Sequence, residues 1–220
     1  MRSPRFLAAV AAALLLVPAV AVAEVVINEV DYDQPGTDAA EYFELKNNGP
    51  GSVDLSEYTV ELVNGSGGGA AVYQTVGTMT GILAAGDYYV VCNNNISTPN
   101  CDLVVAPATN MIQNGAPDAI GLKHLGVVVD AVSYEGNTGA PYTEGTGAVT
   151  DDGSVVGRGL SRVPDGTDTD DNSADFAPRG NSPGAANNEF LPVAGPIALA
   201  AGGALLALGG GWAIRRRRQD

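Results

Sequence analysis

The sequence is poor in the residues that most often carry catalysis and nucleic-acid binding. It has one histidine, His124, and two cysteines, Cys92 and Cys101, in 220 residues. A zinc site of the usual Cys/His type therefore lacks ligands. A Ser-His-Asp arrangement would have to use His124, a single histidine set in the strand-like run "GLKHLGV". Basic residues are scarce as well. Residues 24–190 hold five of them (Lys46, Lys123, Arg158, Arg162, Arg179) against 24 acidic ones, a balance near −19, compared with −14 for the whole chain. A field of that sign repels phosphate backbones, so no nucleic-acid partner is expected. It suits an extracellular surface or one that binds cations. No convincing amphipathic helix lies between the two ends.

The ends read as addresses. In "MRSPRFLAAVAAALLLVPAVAVAE", Arg2 and Arg5 precede an uncharged run over 6–23 that closes on Ala21-Val22-Ala23. This is the pattern of a cleaved secretory signal, 1–23. At the other end, 193–214 are 22 uncharged residues followed by Arg215 to Arg218. As a helix this run would span ~33 Å, enough for a bilayer core of ~30 Å. The arginines would stay in the cytoplasm and leave the body outside. The expected organisation is a signal at 1–23, a folded domain at 24–188, a linker at 189–192, a transmembrane helix at 193–214 and a basic tail at 215–220. Short motif, apolar span and Arg cluster together resemble bacterial C-terminal sorting signals of the sortase and exosortase types. "LPVAG" (Leu191, Pro192, Val193, Ala194, Gly195) is similar to LPxTG, with Ala194 in place of threonine.

The folded part carries many of the chain's 29 glycines, which punctuate short β-rich segments. Strands are expected at 25–32, 41–47, 58–63, 71–77, 87–92, 102–105, 118–123, 126–134 and near 159–163. Short strands parted by Gly, Pro and Asn turns predict an antiparallel sandwich or barrel. Tyr42, Phe43, Leu45, Tyr58, Val60, Leu62, Tyr73, Tyr88, Tyr89, Val90, Ile120, Leu122, Val127, Val129 and Val132 are the expected core and near-core residues. Cys92 and Cys101, in an exported chain, are expected to form one disulfide worth ~2–3 kcal/mol by loop entropy.

"VVINEVDYDQPGTDAAEYFELKNNGPGSVDLSEYTVEL" resembles the start of the lamin-tail domain. Asn28, Glu29, Glu41, Phe43, Glu44, Leu45, Asn47, Asp54, Leu55, Ser56 and Tyr58 fall on that family's positions. "GDYYVVC", "DAIGLKH", "VVVDAVSY" and "GLSRVPDGTDTDDNSADFAPRGNSPGAAN" look like its later strands and closing segment. The resemblance implies an all-β, immunoglobulin-like β-sandwich. The Gly-rich stretches "NGSGGGAAVYQTVGTMTG" and "EGNTGAPYTEGTGAVTDDG" match no family motif and are expected to be end loops, where binding specificity sits.

Pairing Glu29 with Glu41 or Glu44 as acid and base would need a cleft that the sequence does not indicate. Glu44 alternates with Phe43 and Leu45 and shares a face with Lys46, the pattern of a half-solvated strand with ion pairs. No catalytic residue is expected, and the carboxylates read as solvated trim. The best metal candidate is "DGTDTDDNSADF": Asp168, Asp170 and Asn172 have calcium-loop spacing, with Asp175 completing the set. Ser173 stands where an EF-hand requires Gly, and a run of hydrogen-bonded Asx turns is the alternative. Asp151-Asp152 is a weaker acidic cluster. Calcium is the one cofactor suggested.

The expected product is thus an exported, membrane-tethered surface module, structural or interacting, without catalysis of its own. Its partner would be a protein, a glycan or an envelope component, and the sequence specifies no oligomeric state. The alternatives are a calcium-binding, adhesin-like surface domain and an accessory domain of an exported hydrolase or nuclease system.

Overall fold

A computed structural model describes residues 24–187, apart from 96 and 152. The expected signal at 1–23, the linker at 189–192, the sorting motif Leu191–Gly195, the span at 193–214 and the tail at 215–220 lie outside the described residues. Among those described, no helix is long and apolar enough to cross a membrane.

Two sheets face each other. One has six strands in the order β12-β11-β1-β2-β7-β8, the other four in the order β10-β9-β4-β5. The strands are β1 (Val25–Asp31), β2 (Tyr42–Asn47), β3 (Val53–Asp54), β4 (Tyr58–Asn64), β5 (Ala71–Val76), β6 (Ile82–Leu83), β7 (Tyr88–Asn93), β8 (Leu103–Val105), β9 (Asp118–His124), β10 (Val127–Tyr134), β11 (Arg158–Arg162) and β12 (Phe176–Gly180). β3 and β6 pair separately, and one helical turn, α1 (Asn172–Asp175), precedes β12. The arrangement is all-β and consistent with an immunoglobulin-like sandwich. It is not wholly antiparallel, because β8 runs parallel to β7 at the sheet edge. The Cys92–Cys101 disulfide, as expected, closes the short connection between those two strands, with its Cα atoms 6.0 Å apart. Parallel neighbours ordinarily need a longer crossover, so the bridge closes an unusually short parallel connection.

Period-2 alternation explains most of the core. Phe43 and Leu45 on β2, Val60 and Leu62 on β4, Ile120 and Leu122 on β9, and Val132 and Tyr134 on β10 all point between the sheets and are buried. Each such side chain contributes ~1.5–3 kcal/mol through removal from water. Val127 and Val129 differ from expectation and are 66% and 37% exposed. A register shift between Val128 and Asp130 breaks the alternation there, at the start of an edge strand. Tyr73, Tyr88 and Tyr89 are half-buried.

β1 is buried along its whole length, which requires cover on both faces. Val25, Ile27, Val30 and Tyr32 belong to the core. The switch from odd to even numbers is made by a bulge between Ile27 and Glu29. The other face of β1 and β2 is covered by the closing segment 181–187, through the carboxylates described next.

Candidate cation centre

Arg162, on β11, is fully buried and forms the hub of the acidic closing segment. Its Nε donates to the Ile27 carbonyl at 2.8 Å. One terminal nitrogen donates to Asp130 Oδ1 at 2.7 Å. The other reaches the Thr167 carbonyl at 2.9 Å, Asp175 Oδ2 at 3.0 Å and Asp168 Oδ1 at 3.3 Å. The guanidinium also lies 4.6 Å from the centre of the Phe176 ring. Asp130 in turn accepts the Ile27 amide through its second oxygen. The bulge in β1 therefore presents both peptide groups of Ile27 to an Arg–Asp pair that joins the two sheets. A planar fork with five donors suits this task, and lysine could not replace it.

The four residues expected to hold calcium are distributed around this hub. Asp168 and Asp175 face Arg162, and Asp175 also accepts the Thr169 amide and hydroxyl at 2.8 and 2.7 Å. Asn172 turns to β10 and Glu144: its amide donates to the Ala131 carbonyl, and its oxygen accepts from the Ser133 and Glu144 amides. Asp170 is exposed, with a left-handed φ of 57°. Asp171 caps α1 through the Ser173 amide. Calcium-loop spacing therefore does not bring Asp168, Asp170, Asn172 and Asp175 to one point. The spacing resembles such a loop because Asx turns also prefer Asp and Asn at alternate positions.

A different trio does converge. Asp130, Glu144 and Asp168 each offer an oxygen within 4.8 Å of the others. Burial pushes Asp130 up to about 6 against the pull of Arg162. Burial, together with the charges of Asp130 and Asp168, pushes Glu144 up to about 8. Asp130 and Glu144 lie outside the stretch that drew attention in the sequence, and no local spacing links them to Asp168.

The carboxylates of the opening stretch are not solvated trim. Glu29, Asp31, Glu41 and Glu44 are all buried. Glu29 accepts the Ser161 hydroxyl at 3.0 Å and the Ser182 amide at 3.1 Å. Asp31 accepts from Gln34 and Asn181. Glu44 accepts from Asn28 at 2.9 Å and from the Gly184 amide at 2.6 Å. Glu41 accepts the Met111 and Ile112 amides at 2.7 and 3.1 Å. Glu44 makes no ion pair with Lys46, which binds Asp165 instead. Three carboxylates thus clamp Asn181, Ser182 and Gly184 of the 181–187 strap, and the fourth fixes the loop ahead of β9.

The profile of the Lamin Tail Domain family matches residues 18–136, more than half of the chain. The chain belongs to the lamin tail domain family. No curated protein matches it. Among solved structures, the crystal structure of a DUF4876 family protein from Bacteroides thetaiotaomicron VPI-5482 is similar over 78% of this chain and 75% of its own, with a TM-score of 0.51 and 14% identity. At that identity the likeness is one of fold.

The lamin tail signature in this chain acts as a set of internal fasteners. Asn28 holds Glu44, and its oxygen accepts the Gly166 amide at 2.9 Å. Asn47 ties the Gly51 and Leu83 carbonyls. Asp54 caps the turn at Leu55–Glu57 through the Ser56 amide and hydroxyl. Beyond the matched residues, Gly180-Asn181-Ser182-Pro183-Gly184 has the Gly-x-Ser-x-Gly spacing of a nucleophile elbow, which the sequence reading overlooked. Ser182 follows a strand without leading into a helix. Its hydroxyl lies near Glu29 and Asn187, while His124 stacks on Tyr58 and contacts Glu57. In the lamin tail domain this serine belongs to the strap.

Proposed function

We propose that this lamin tail domain is an exported surface module, tethered by its C-terminal segment, that presents loops on a rigid sandwich and has no catalysis of its own. The observation that carries the reading is the use made of the signature: Glu29, Glu41, Glu44, Asn28, Asn47 and Asp54 each hold backbone or side chains of the fold. Recognition is thereby left to the loops. The disulfide supports an oxidising compartment outside the cytoplasm. The partner is a protein, a glycan or another envelope component, and the acidic balance disfavours nucleic acid.

Intact mass of the protein from fractionated cells, without reductant, tests this. A disulfide-bonded chain in the membrane fraction, lacking 1–23 and ending at Asp220, supports a single-pass anchor. One ending near Ala194 and joined to envelope material supports sortase-like processing. A cytoplasmic chain that retains residues 1–23 and free thiols overturns the proposal.

Calcium-dependent adhesion is the second reading, favoured by the convergence of Asp130, Glu144 and Asp168. It ranks below the first because Arg162 already lies among these groups. A calcium-induced rise in the thermal transition that Glu144→Gln abolishes would support it.

A further inference from the structure

The hairpin between β9 and β10 turns on a residue that the fold does not need there. Leu125 and Gly126 form its two-residue loop, with φ of 49° and 86°. Two successive left-handed residues in such a loop favour Asn or Gly, and a leucine is strained. Leu125 gains no packing in return, being 72% exposed, and Val127 beside it is 66% exposed. A Cβ built on Gly126 would meet nothing within 4 Å, so the tip stands clear of the domain. Its root is firmly held. The Leu125 amide donates to the Glu57 carbonyl at 2.9 Å, and His124 stacks on Tyr58 with centroids 4.5 Å apart. Backbone strain of this kind clusters at functional positions.

The tip lies at the end of the sandwich where the chain leaves it. Asn47, closing β2, bonds the Leu83 carbonyl, the Leu55 amide bonds the Gly81 carbonyl, and Glu57 holds Leu125. These contacts link the end of β2 to the hairpin tip. The far ends of β1 and β10 meet at the opposite pole, where Tyr32 and Tyr134 stack. The strap returns to the first pole: the Asn187 amide bonds Asp165, whose ion-pair partner is Lys46 on β2. From Asn187 to the uncharged run at 193–214 the chain reaches only about 20 Å when fully extended. A run seated in a bilayer would thus hold this pole close to the lipid surface. Ile82, in the same group of segments, is 68% exposed.

Charge does not supply an attraction. Lys123 and His124, the basic residues at the tip, are engaged by Glu61 and Glu57, and the folded part is strongly acidic. The contact that remains is apolar and suits the interface of a neutral membrane.

We propose that the β9–β10 tip, Leu125 with Val127, inserts into the lipid surface next to the domain and fixes its orientation, so that the opposite pole faces outward. This rests on the C-terminal tether proposed above.

Fluorescence quenching on the full-length protein in phosphatidylcholine vesicles tests it. Both cysteines are paired, so a Val127→Cys or Val156→Cys variant takes a thiol-reactive fluorophore at one place. Val156 is 81% exposed and lies just ahead of β11, at the opposite pole. Chain-brominated lipids are the quencher, and Trp212, the one tryptophan, lies within the 193–214 run and reports the tether itself. The expected result is quenching of Trp212 and of the label at 127, unchanged by salt, with the label at 156 unquenched. Leu125→Asn suits a left-handed turn and keeps the hairpin. It should remove most of the quenching at 127 while Trp212 stays quenched. Quenched Trp212 with an unquenched label at 127 overturns the insertion and leaves the tether standing. Equal quenching at 127 and 156 overturns the fixed orientation. Quenching at 127 that Leu125→Asn does not reduce overturns the part assigned to the tip. An unquenched Trp212 overturns the tether and this inference with it.

Discussion

The protein contains two buried acidic clusters that handle their charge in opposite ways. Around Arg162, three aspartates share one guanidinium, and nearly every polar atom has a partner from β1, β10 or the closing segment. In the second, near Asp31, Asp33 and Glu135, Asp151 is buried with neither carboxylate oxygen hydrogen-bonded among the described residues, and burial together with those like charges pushes it up to about 8. The first is a fastener completed by the chain itself. The second is relieved by a proton. Acidic composition alone thus says little about how a carboxylate is held; what decides it is whether the fold supplies a positive partner.

The largest expected effect comes from removing the fold's own cation. Arg162→Ala strands Asp130, Asp168 and Asp175 in the interior and should cost ~3–5 kcal/mol in denaturant unfolding. Arg162→Lys should recover only part of that, since an ammonium cannot reach Ile27, Asp130 and Asp175 together. Equal stability of all three proteins would dissolve the contrast between the clusters.

Acidity provides the next test. Burial raises Asp31 and Glu41 to about 7, and Glu44, Glu144 and Asp151 to about 8. The folded state therefore holds protons that the unfolded chain, with ordinary carboxyl values near 4, has released. Stability from these groups is fully present below the unfolded values and is lost as pH rises through about 7 to 8. Thermal unfolding without divalent ions should show a lower midpoint at pH 8.5 than at pH 5.5, a loss on the order of 2–3 kcal/mol after discounting for solvent relaxation. A midpoint that rises with pH would contradict the burial of these carboxylates.

Smaller effects distinguish the clusters residue by residue. Asp151→Asn removes a buried charge without a hydrogen-bond partner and should stabilise the protein by roughly 1–2 kcal/mol at pH 8. Asp168→Asn should change stability by less than about 1 kcal/mol. Its bond to Arg162 is long at 3.3 Å, and its loss also relieves repulsion on Glu144. Opposite signs for the two variants would reverse the assignment of which cluster leaves a carboxylate unpaired.

Much of the frame could be read from the chain alone. The nine expected strands all form within a residue or so of their predicted ends, because alternation and turn chemistry are local properties. β3 and β6 were missed because two-residue strands carry no periodic signal, and β12 because Pro178 reads as a break. It is an edge strand, where proline is tolerated. The lamin tail signature, too, is visible in short motifs.

The carboxylates could not be read in this way. Glu44 next to Lys46 looks like a solvent-facing pair until Gly184, 140 positions away, supplies its amide and cover. Asp130 looks like an edge-strand charge until Arg162 and the β1 bulge close around it. Sequence by itself determined the strands, their family and the disulfide, since these depend on local pattern and a two-cysteine count. Only the tertiary structure decided which acids are buried, paired or left without a counter-charge, because desolvation and charge pairing are set by segments that meet only once the two sheets and the closing strap are in place.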